Sequence, residues 1–550
     1  MNQIQLTTAT PVTSSDSIKR PVPTAGTTPA EQSPSFWRAW PWWAIPALIG
    51  FGMVLWFVDP FIGDWDGLDY TMLSVAGYPS SMALGRNLFI FGNYVLYELA
   101  HLLFGLQPDR AYLLFKYTVV AQAPLAVIAC WVLARRLSGS IPAATLAALF
   151  IVFSPVFVLY GGQVMTDVPS VLLLAVALII HYRGLRENRI WLVLLGASLV
   201  GLGMNLRETI GVYLPWLVLA PFVCGWKLTR RNIMLILASC GLFFLFAFGW
   251  FAFWFLTDAH YSRIWFGWRE SMQQEAARHP AVTFKNLIPY LGFFFASAPL
   301  VFLSFPFAFA SEWRRHKLSP MLLLAAIGLF ANLALFFNYS TSINWRYFLT
   351  GLPALAPLCA TFLIRAVNKR FKNQQVAFAI CALAVIVVGV TFGLLVRRTS
   401  RQFAERRAIS KEYRKQLEYV PRDAVMIAGA QTIAVTYWKA MGAGTWKTVG
   451  TGGGWPGEKE LVPTIQAHMD EGRRVFIDTD PRWWMPCGWQ RDELPAIANL
   501  QHNFRFRRAS PTIYELRPLH DQSAIDSPQL EKLLPENRPE DTKKCAPLTG

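Results

Sequence analysis

Residues 40–70 read WPWWAIPALIGFGMVLWFVDPFIGDWDGLDY. The first part, Trp40–Val58, is uncharged and long enough to cross a hydrocarbon core of about 30 Å. The second part, Asp59–Tyr70, sets four carboxylates (Asp59, Asp64, Asp66 and Asp69) at the edge of that run. Carboxylates are costly to desolvate beside a membrane. The cluster therefore reads in one of two ways: as a solvated acidic loop, or as a chemical site facing the lipid surface.

The rest of the chain repeats the first part many times. Apolar runs follow at about 111–133, 141–160, 168–182, 190–204, 209–225, 232–256, 286–309, 320–337, 347–366 and 375–396. Only 15% of residues are charged, against about 25% in soluble proteins. The expected fold is a polytopic α-helical membrane protein of about eleven transmembrane helices, over residues 36–398, with a small α/β domain after it. A further run, residues 88–106, contains Asn93, Glu98 and His101. It reads as an amphipathic helix lying in the interface, within an outer loop spanning 59–110.

Loop charges support that reading. Alternate loops carry Arg135 and Arg136; Arg183, Arg186 and Arg189; Lys227, Arg230 and Arg231; Arg314, Arg315 and Lys317; and Lys369, Arg370 and Lys372. Basic short loops stay in the cytoplasm, which places the N-terminus there too. The net charge of +17 is then explained by these loops. No nucleic-acid-binding module accompanies it, so nucleic acid is not expected as a partner. The expected location is the inner or plasma membrane. The opposite, extracytoplasmic set collects 59–70, 161–167 (GGQVMTD), Asn205–Glu208 (NLRE), 257–285, 338–346 (NYSTSINWR) and everything after about 398. The chemically interesting polar groups thus share one side.

Residues 1–35 are rich in Thr, Ser and Pro without a hydrophobic period, and read as a disordered tail. Beyond the last span, 399–420 reads as a charged connecting helix. Strands are expected at Val425–Ala428, Val475–Asp478, Phe504–Arg507 and Thr512–Leu516, with helices at Thr432–Met441 and Leu461–Asp470. That alternation makes 399–519 a small α/β domain, followed by a disordered tail, 520–550. Exposed Trp446, Trp455, Trp483, Trp484 and Trp489 could stack on sugars; packing is the plainer alternative. Cys487 and Cys545 could pair if the domain is extracytoplasmic.

Within the outer set, Asp66 and Tyr70 form a D-x-x-x-Y pattern just past the first span. A general base must be ionised and reach an acceptor hydroxyl, and an Asp at the membrane edge can do both. Asp64 and Asp69 compete for the role. Asp167, in MTDVPS, opens a span; it is either a first-turn residue favoured by the helix dipole or a second functional carboxylate. Two such carboxylates could share acid–base work or flank a divalent metal ion. Arg207, followed by Glu208, opens another span, and Arg346, followed by Tyr347, a third. Arg86 lies between the acidic stretch and the interfacial helix. A guanidinium fork suits a phosphate; an Arg207–Glu208 pair or snorkelling to headgroups are the bland alternatives.

The order of these motifs (D-x-x-x-Y in the first outer loop, T-D-x-P at a later span, an Arg-bearing span start, then W-R-Y-F-L-x-x-L-P) resembles the GT-C fold glycosyltransferases of the protein O-mannosyltransferase and lipid A aminoarabinose transferase type. The resemblance covers roughly residues 40–400. It implies Asp66 as catalytic base, with Gly67 where that family often has Glu, and Asp167 as the second acidic position. It implies Arg346 and Tyr347 near the donor phosphate. It further implies a polyprenyl-phosphate sugar donor, inverting transfer, and a glycan, lipid or protein acceptor outside the cytoplasm. Metal dependence is left open, because members of the fold differ in it. A transporter or lipid flippase is the rival expectation; it calls for inverted repeats and mid-span charges.

Overall fold

The computed structural model describes residues 37–57, 65–79, 86–258, 262, 266, 269, 284–316, 318–338, 345–429, 431–450, 458–484, 493–523 and 526–541. The described residues from Pro41 onward cluster as one compact unit. Among the described residues, six helical segments are each long and apolar enough to cross a membrane: Trp37–Phe57, Pro108–Ser138, Asp167–Glu187, Arg230–Thr257, Arg346–Phe371 and Gln374–Leu394. Two bent pairs raise the count to eight if each is one span. They are Ile141–Val152 with Pro155–Gly161, bent by 62°, and Leu291–Ser297 with Pro299–His316, bent by 108°. Each bend falls where a proline opens the second helix and disfavours a helical residue before it. Three shorter apolar helices, Ile190–Gly203, Glu208–Val223 and Pro320–Phe330, account for the remaining apolar runs.

The helices are numbered α1 (Trp40–Phe57), α2 (Trp65–Ala76), α3 (Asn87–Phe104), α4 (Ala111–Ser138), α5 (Ile141–Val152), α6 (Pro155–Gly161), α7 (Asp167–Glu187), α8 (Ile190–Gly203), α9 (Leu214–Val223), α10 (Arg230–Thr257), α11 (Phe284–Ser297), α12 (Pro299–His316), α13 (Pro320–Asn338), α14 (Leu352–Phe371) and α15 (Gln374–Gln416). Helices α4, α7, α8, α9 and α10 enclose a core of Leu133, Leu174, Leu178, Val193, Trp216, Leu217 and Phe243. Small residues let these helices touch through their backbones, as helices in lipid require. A Cβ on Gly196 would lie 2.5 Å from His181, and one on Gly201 would lie 2.3 Å from the Phe243 carbonyl.

Two expectations change here. The acidic stretch is not a loop throughout: α2 begins at Trp65, so Asp66 sits in its first turn. Asp59 and Asp64 lie outside the described residues. The last span and the connecting helix are one helix of 43 residues, because the switch from apolar to charged side chains brings no proline to break it. Helix α3 matches the expected interfacial segment in place. Its outer face exposes Val95, Leu99, Leu102, Leu103 and Phe104, while Phe89, Ile90, Asn93 and Tyr97 are buried. Gly105, at a φ of 64°, ends it.

The C-terminal domain holds a five-stranded sheet in the order β2-β1-β3-β5-β4. The strands are β1 (Val425–Ala428), β2 (Lys447–Gly450), β3 (Val475–Asp478), β4 (Arg505–Arg508) and β5 (Ile513–Arg517). The first three are parallel, with Val425 opposite Val475 and Lys447. Their central members are wholly buried, as parallel strands covered on both faces must be. Strands β5 and β4 are antiparallel additions, and the arginines of β4 give a charged edge that resists further pairing. Helices α16 (Thr432–Ala440), α17 (Glu458–Asp470) and α18 (Leu494–Asn503) cover the sheet. Strand β2 and helix α18 were not expected from the sequence.

Trp446, Trp483 and Trp484 are core residues of this domain, so the stacking reading fails for them. Trp455, Trp489 and the Cys487–Cys545 pair lie outside the described residues, as does the expected 1–35 tail. The expected disordered tail from 520 is corrected as far as residue 541. Leu530 and Leu533 enter the core, Asp526 bridges to Phe506, and Arg538 donates to the Trp484 carbonyl. The polar composition of 520–541 hid two leucines at a spacing that buries both. Helix α16 reaches outward and packs against α2.

Candidate functional site

The site is assembled from five chain segments, each opening a helix. Helix α2 brings Asp66, Asp69 and Tyr70. Arg86 precedes α3 with a φ of 74°, a left-handed backbone that costs a non-glycine residue about 1 kcal/mol or more. Asp167 is the first residue of α7, where the helix dipole favours its charge. Arg207 and Glu208 form the corner before a 3-10 turn, Glu208–Tyr213. Arg346 and Tyr347 lie in a second 3-10 turn, Trp345–Gly351, ahead of α14.

Hydrogen bonds lock these segments together. The Leu88 amide donates to the Asn205 carbonyl at 2.9 Å, and the Asn205 side chain donates to the Phe246 carbonyl at 2.8 Å. Tyr213 donates to the Thr350 carbonyl at 2.9 Å. The α3 start, the 205–208 corner and the two 3-10 turns are therefore held by one network.

Among the described residues, three ion pairs result. Arg346 donates to Asp66 at 2.6 Å. Arg207 pairs with Asp167, both essentially buried. Arg86 pairs with Glu208 and donates from Nε to the Tyr70 hydroxyl at 2.7 Å. Arg207 and Glu208 are thus neighbours in sequence that serve different partners, and the expected local pair does not form. Tyr347 links two of the cations: its ring lies 5.1 Å from the Arg207 guanidinium and 5.6 Å from that of Arg346. Tyr160 offers Arg346 another face at 5.8 Å. Among the candidates named from sequence, Asp66, Tyr70, Arg86, Asp167, Arg207, Glu208, Arg346 and Tyr347 come together. Asp69 lies one turn beyond Asp66, and Asp64 is outside the described residues.

Charge sorts the two carboxylates of α2. Burial pushes the Asp66 carboxyl up, but Arg346, with Arg86 and Arg207 behind it, outweighs burial and holds it below the usual range. Among the described residues, no such cation is set against Asp69. Burial, then the charge of Asp66, pushes it up to about 7. Asp66 is therefore held towards its ionised form while Asp69 is held towards its protonated form, a division set by environment alone. The Tyr70 phenol is also pushed up by burial, so it keeps its proton.

One orphan stands out. Nε and Nη2 of Arg207 are buried without a hydrogen-bond partner, as is Oδ2 of Asp167. Two unmet guanidinium donors in a buried site suit an anion. A divalent metal suits the site less well. Among the described residues no group of three His, Cys, Asp or Glu comes together, and Asp66, Asp167 and Glu208 are each engaged by a different arginine.

Sequence reasoning passed over Lys116, which is fully buried on α4, a helix packed against α2. A lone lysine in the apolar run 111–133 was the available signal, because ionisable groups at membrane depth are rare and usually functional. It also passed over Tyr160, at the end of its run beside GGQVMTD.

Residues 92–254 match the family model described as dolichyl-phosphate-mannose-protein mannosyltransferase. No curated protein matches the chain in sequence. The fold matches ArnT from Cupriavidus metallidurans bound to undecaprenyl phosphate, at 14% identity and a TM-score of 0.54, over 90% of this chain and 100% of that one. It matches the apo state of the same protein at 14% identity and a TM-score of 0.54, over 87% and 98% of the two chains. It also matches the apo Archaeoglobus fulgidus oligosaccharyltransferase at 11% identity and a TM-score of 0.51, over 92% and 78%.

Proposed function

From a chain with the fold of the GT-C membrane glycosyltransferases, we propose an integral membrane enzyme that moves a sugar from a polyprenyl-phosphate donor to an acceptor outside the cytoplasm. The observation that carries this reading is the buried Arg207 guanidinium with two unmet donors, beside Arg346 and Arg86. Three forked cations at one membrane face suit a lipid-borne phosphate. The bound undecaprenyl phosphate in the ArnT structure supports that class of donor. The acceptor is a lipid glycan, a cell-envelope polymer or a protein.

In the proposed reaction the acceptor hydroxyl oxygen attacks the anomeric carbon in a single inverting displacement. The bond from that carbon to the phosphate oxygen breaks, and the polyprenyl phosphate leaves with the electron pair. The hydroxyl proton passes to the Asp66 carboxylate. Arg207 and Arg346 hold the charge that grows on the departing phosphate, where fixed donors stabilise a transition state most. Asp66 is paired with Arg346 in the structure. A donor phosphate that takes a share of Arg346 loosens this pair, and burial then makes Asp66 more basic. Donor binding thus prepares the base.

The loop charges support an orientation with this face outside and the basic loops in the cytoplasm. Purified protein in nanodiscs, incubated with polyprenyl-phosphate sugars, tests the function. Release of free polyprenyl phosphate by wild type, lost in Asp66→Asn, is the expected result. Loss in Asp69→Asn with activity kept in Asp66→Asn would move the base to Asp69. No release with any donor and acceptor from folded protein would overturn the enzyme reading.

A further inference from the structure

A second charged feature lies at the other end of the helices. Arg346 and Phe362 belong to one helical segment. Their sixteen-residue separation is about 24 Å at 1.5 Å per residue, so Phe362 sits near the membrane face opposite Asp66. There, a groove of about 390 Å³ opens between α12 and α14, lined by Phe307, Ala310, Ser311, Arg314, Arg315 and Phe362.

The groove has a polar end and an apolar end. Leu303, Phe307, Ser311 and Arg314 follow one face of α12 at helical spacing. Leu303 and Phe307 are 55% and 66% exposed, so that face is open to lipid along its apolar half. Trp313, exposed and stacked on Phe309, sits one residue before the arginines, at the level where tryptophan marks a membrane interface. Glu312, on the same helix, is already used: it accepts from Arg365 at 3.0 Å and from Ser319 at 3.3 Å. Among the described residues, neither Arg314 nor Arg315 has an acidic partner.

We propose that this groove binds an anionic glycerophospholipid. Its phosphate lies at Arg314 and Arg315, its glycerol at Ser311, and the start of an acyl chain runs along Phe307 and Leu303 against Phe362. Basic pockets between helices recognise such headgroups by charge, and the neighbouring apolar face supplies the rest. The site is separate from the one that holds Asp66 and does not depend on the proposed reaction.

Native mass spectrometry of the full-length protein with phosphatidylglycerol and with phosphatidylcholine tests this. The expected result is bound phosphatidylglycerol in preference to phosphatidylcholine. Affinity for it should fall about 30-fold in R314Q/R315Q, at roughly a fivefold loss per arginine. R314K/R315K keeps the charge and should keep most of the binding. Equal binding of both lipids by wild type would overturn the proposal. So would unchanged phosphatidylglycerol binding in R314Q/R315Q, or competition by millimolar inorganic phosphate that abolishes it. An R314Q/R315Q protein that unfolds at the wild-type temperature shows that lost binding is not lost folding; if that variant unfolds early, failure of R314K/R315K to bind would decide against the proposal.

Discussion

Replacing Asp66 by Asn separates the base from the cation it holds. The substitution keeps an oxygen for Arg346 and removes only the charge and the basic lone pair. General-base catalysis is worth about 10²- to 10⁴-fold, so kcat should fall by that factor. Donor affinity should move the other way. Opposite charges about 4 Å apart interact by about 1 kcal/mol in water and about 4 kcal/mol at the effective dielectric of a protein surface. The Asp66 side chain is 31% exposed and that of Arg346 11%, which puts their pair between these limits. Release of Arg346 to the phosphate should therefore tighten donor binding by about tenfold, equivalent to about 1.4 kcal/mol. The assay pairs calorimetric titration of a non-transferable polyprenyl-phosphate sugar with single-turnover release of polyprenyl phosphate, both in nanodiscs. Weaker donor binding by Asp66→Asn would refute the competition between carboxylate and phosphate for Arg346. A kcat within tenfold of wild type would refute Asp66 as the base.

Other outcomes follow from neighbouring residues. Asp69 has a folded pKa of about 7, above its unfolded value, so its contribution to stability is fully present below the unfolded pKa and lost as pH rises towards 7. Asp69→Asn should therefore raise the unfolding temperature at pH 8 and change it little near pH 4, as read by a melt across that range. Asp167→Asn leaves Arg207 buried and uncompensated and should cost about 3–5 kcal/mol; D167N/R207Q should recover part of it in chemical unfolding. Gly201→Val drives a Cβ into the Phe243 carbonyl and should cost about 1–3 kcal/mol or more, with α8 and α10 more open to hydrogen exchange. Truncation after residue 519 removes Leu530 and Leu533 from the core and should cost about 3–6 kcal/mol by lost burial. An unchanged melt would show that the tail is dispensable.

How much of this was legible in the sequence depends on the range of the forces involved. Apolar length and loop charge act locally and additively, so the helical membrane body could be read from residues 40–400. The site residues could be named because each opens a helix on one side, as Asp66, Asp167, Arg207 and Arg346 do. Their pairing could not. Arg207 finds Asp167 forty residues away and Glu208 finds Arg86 across 122 residues, contacts that no spacing encodes. Helix α2 was hidden because Gly67 and Asp69 read as loop residues, while Leu68 and Tyr70 are buried by tertiary contacts. The 520–541 segment was misread because composition averages over the two leucines that matter.

The packing of α16 on α2 has a consequence in time. Burial of the Tyr437 phenol, beside Tyr112 and Asp109, shows how fully that helix is seated at the foot of α4. The helix that carries Asp66 leaves the ribosome about 350 residues before its buttress does. At about 5–20 residues per second, that is a wait of roughly 20–70 s. In its last part, once Arg346 has also been made, the named carboxylates and arginines of the site are all present, yet α2 still lacks the surface it rests on. A nascent or clipped chain should therefore hold the complete set of reactive groups without their final register. Completion of the last domain then serves as the signal that the first outer segment is ready to work.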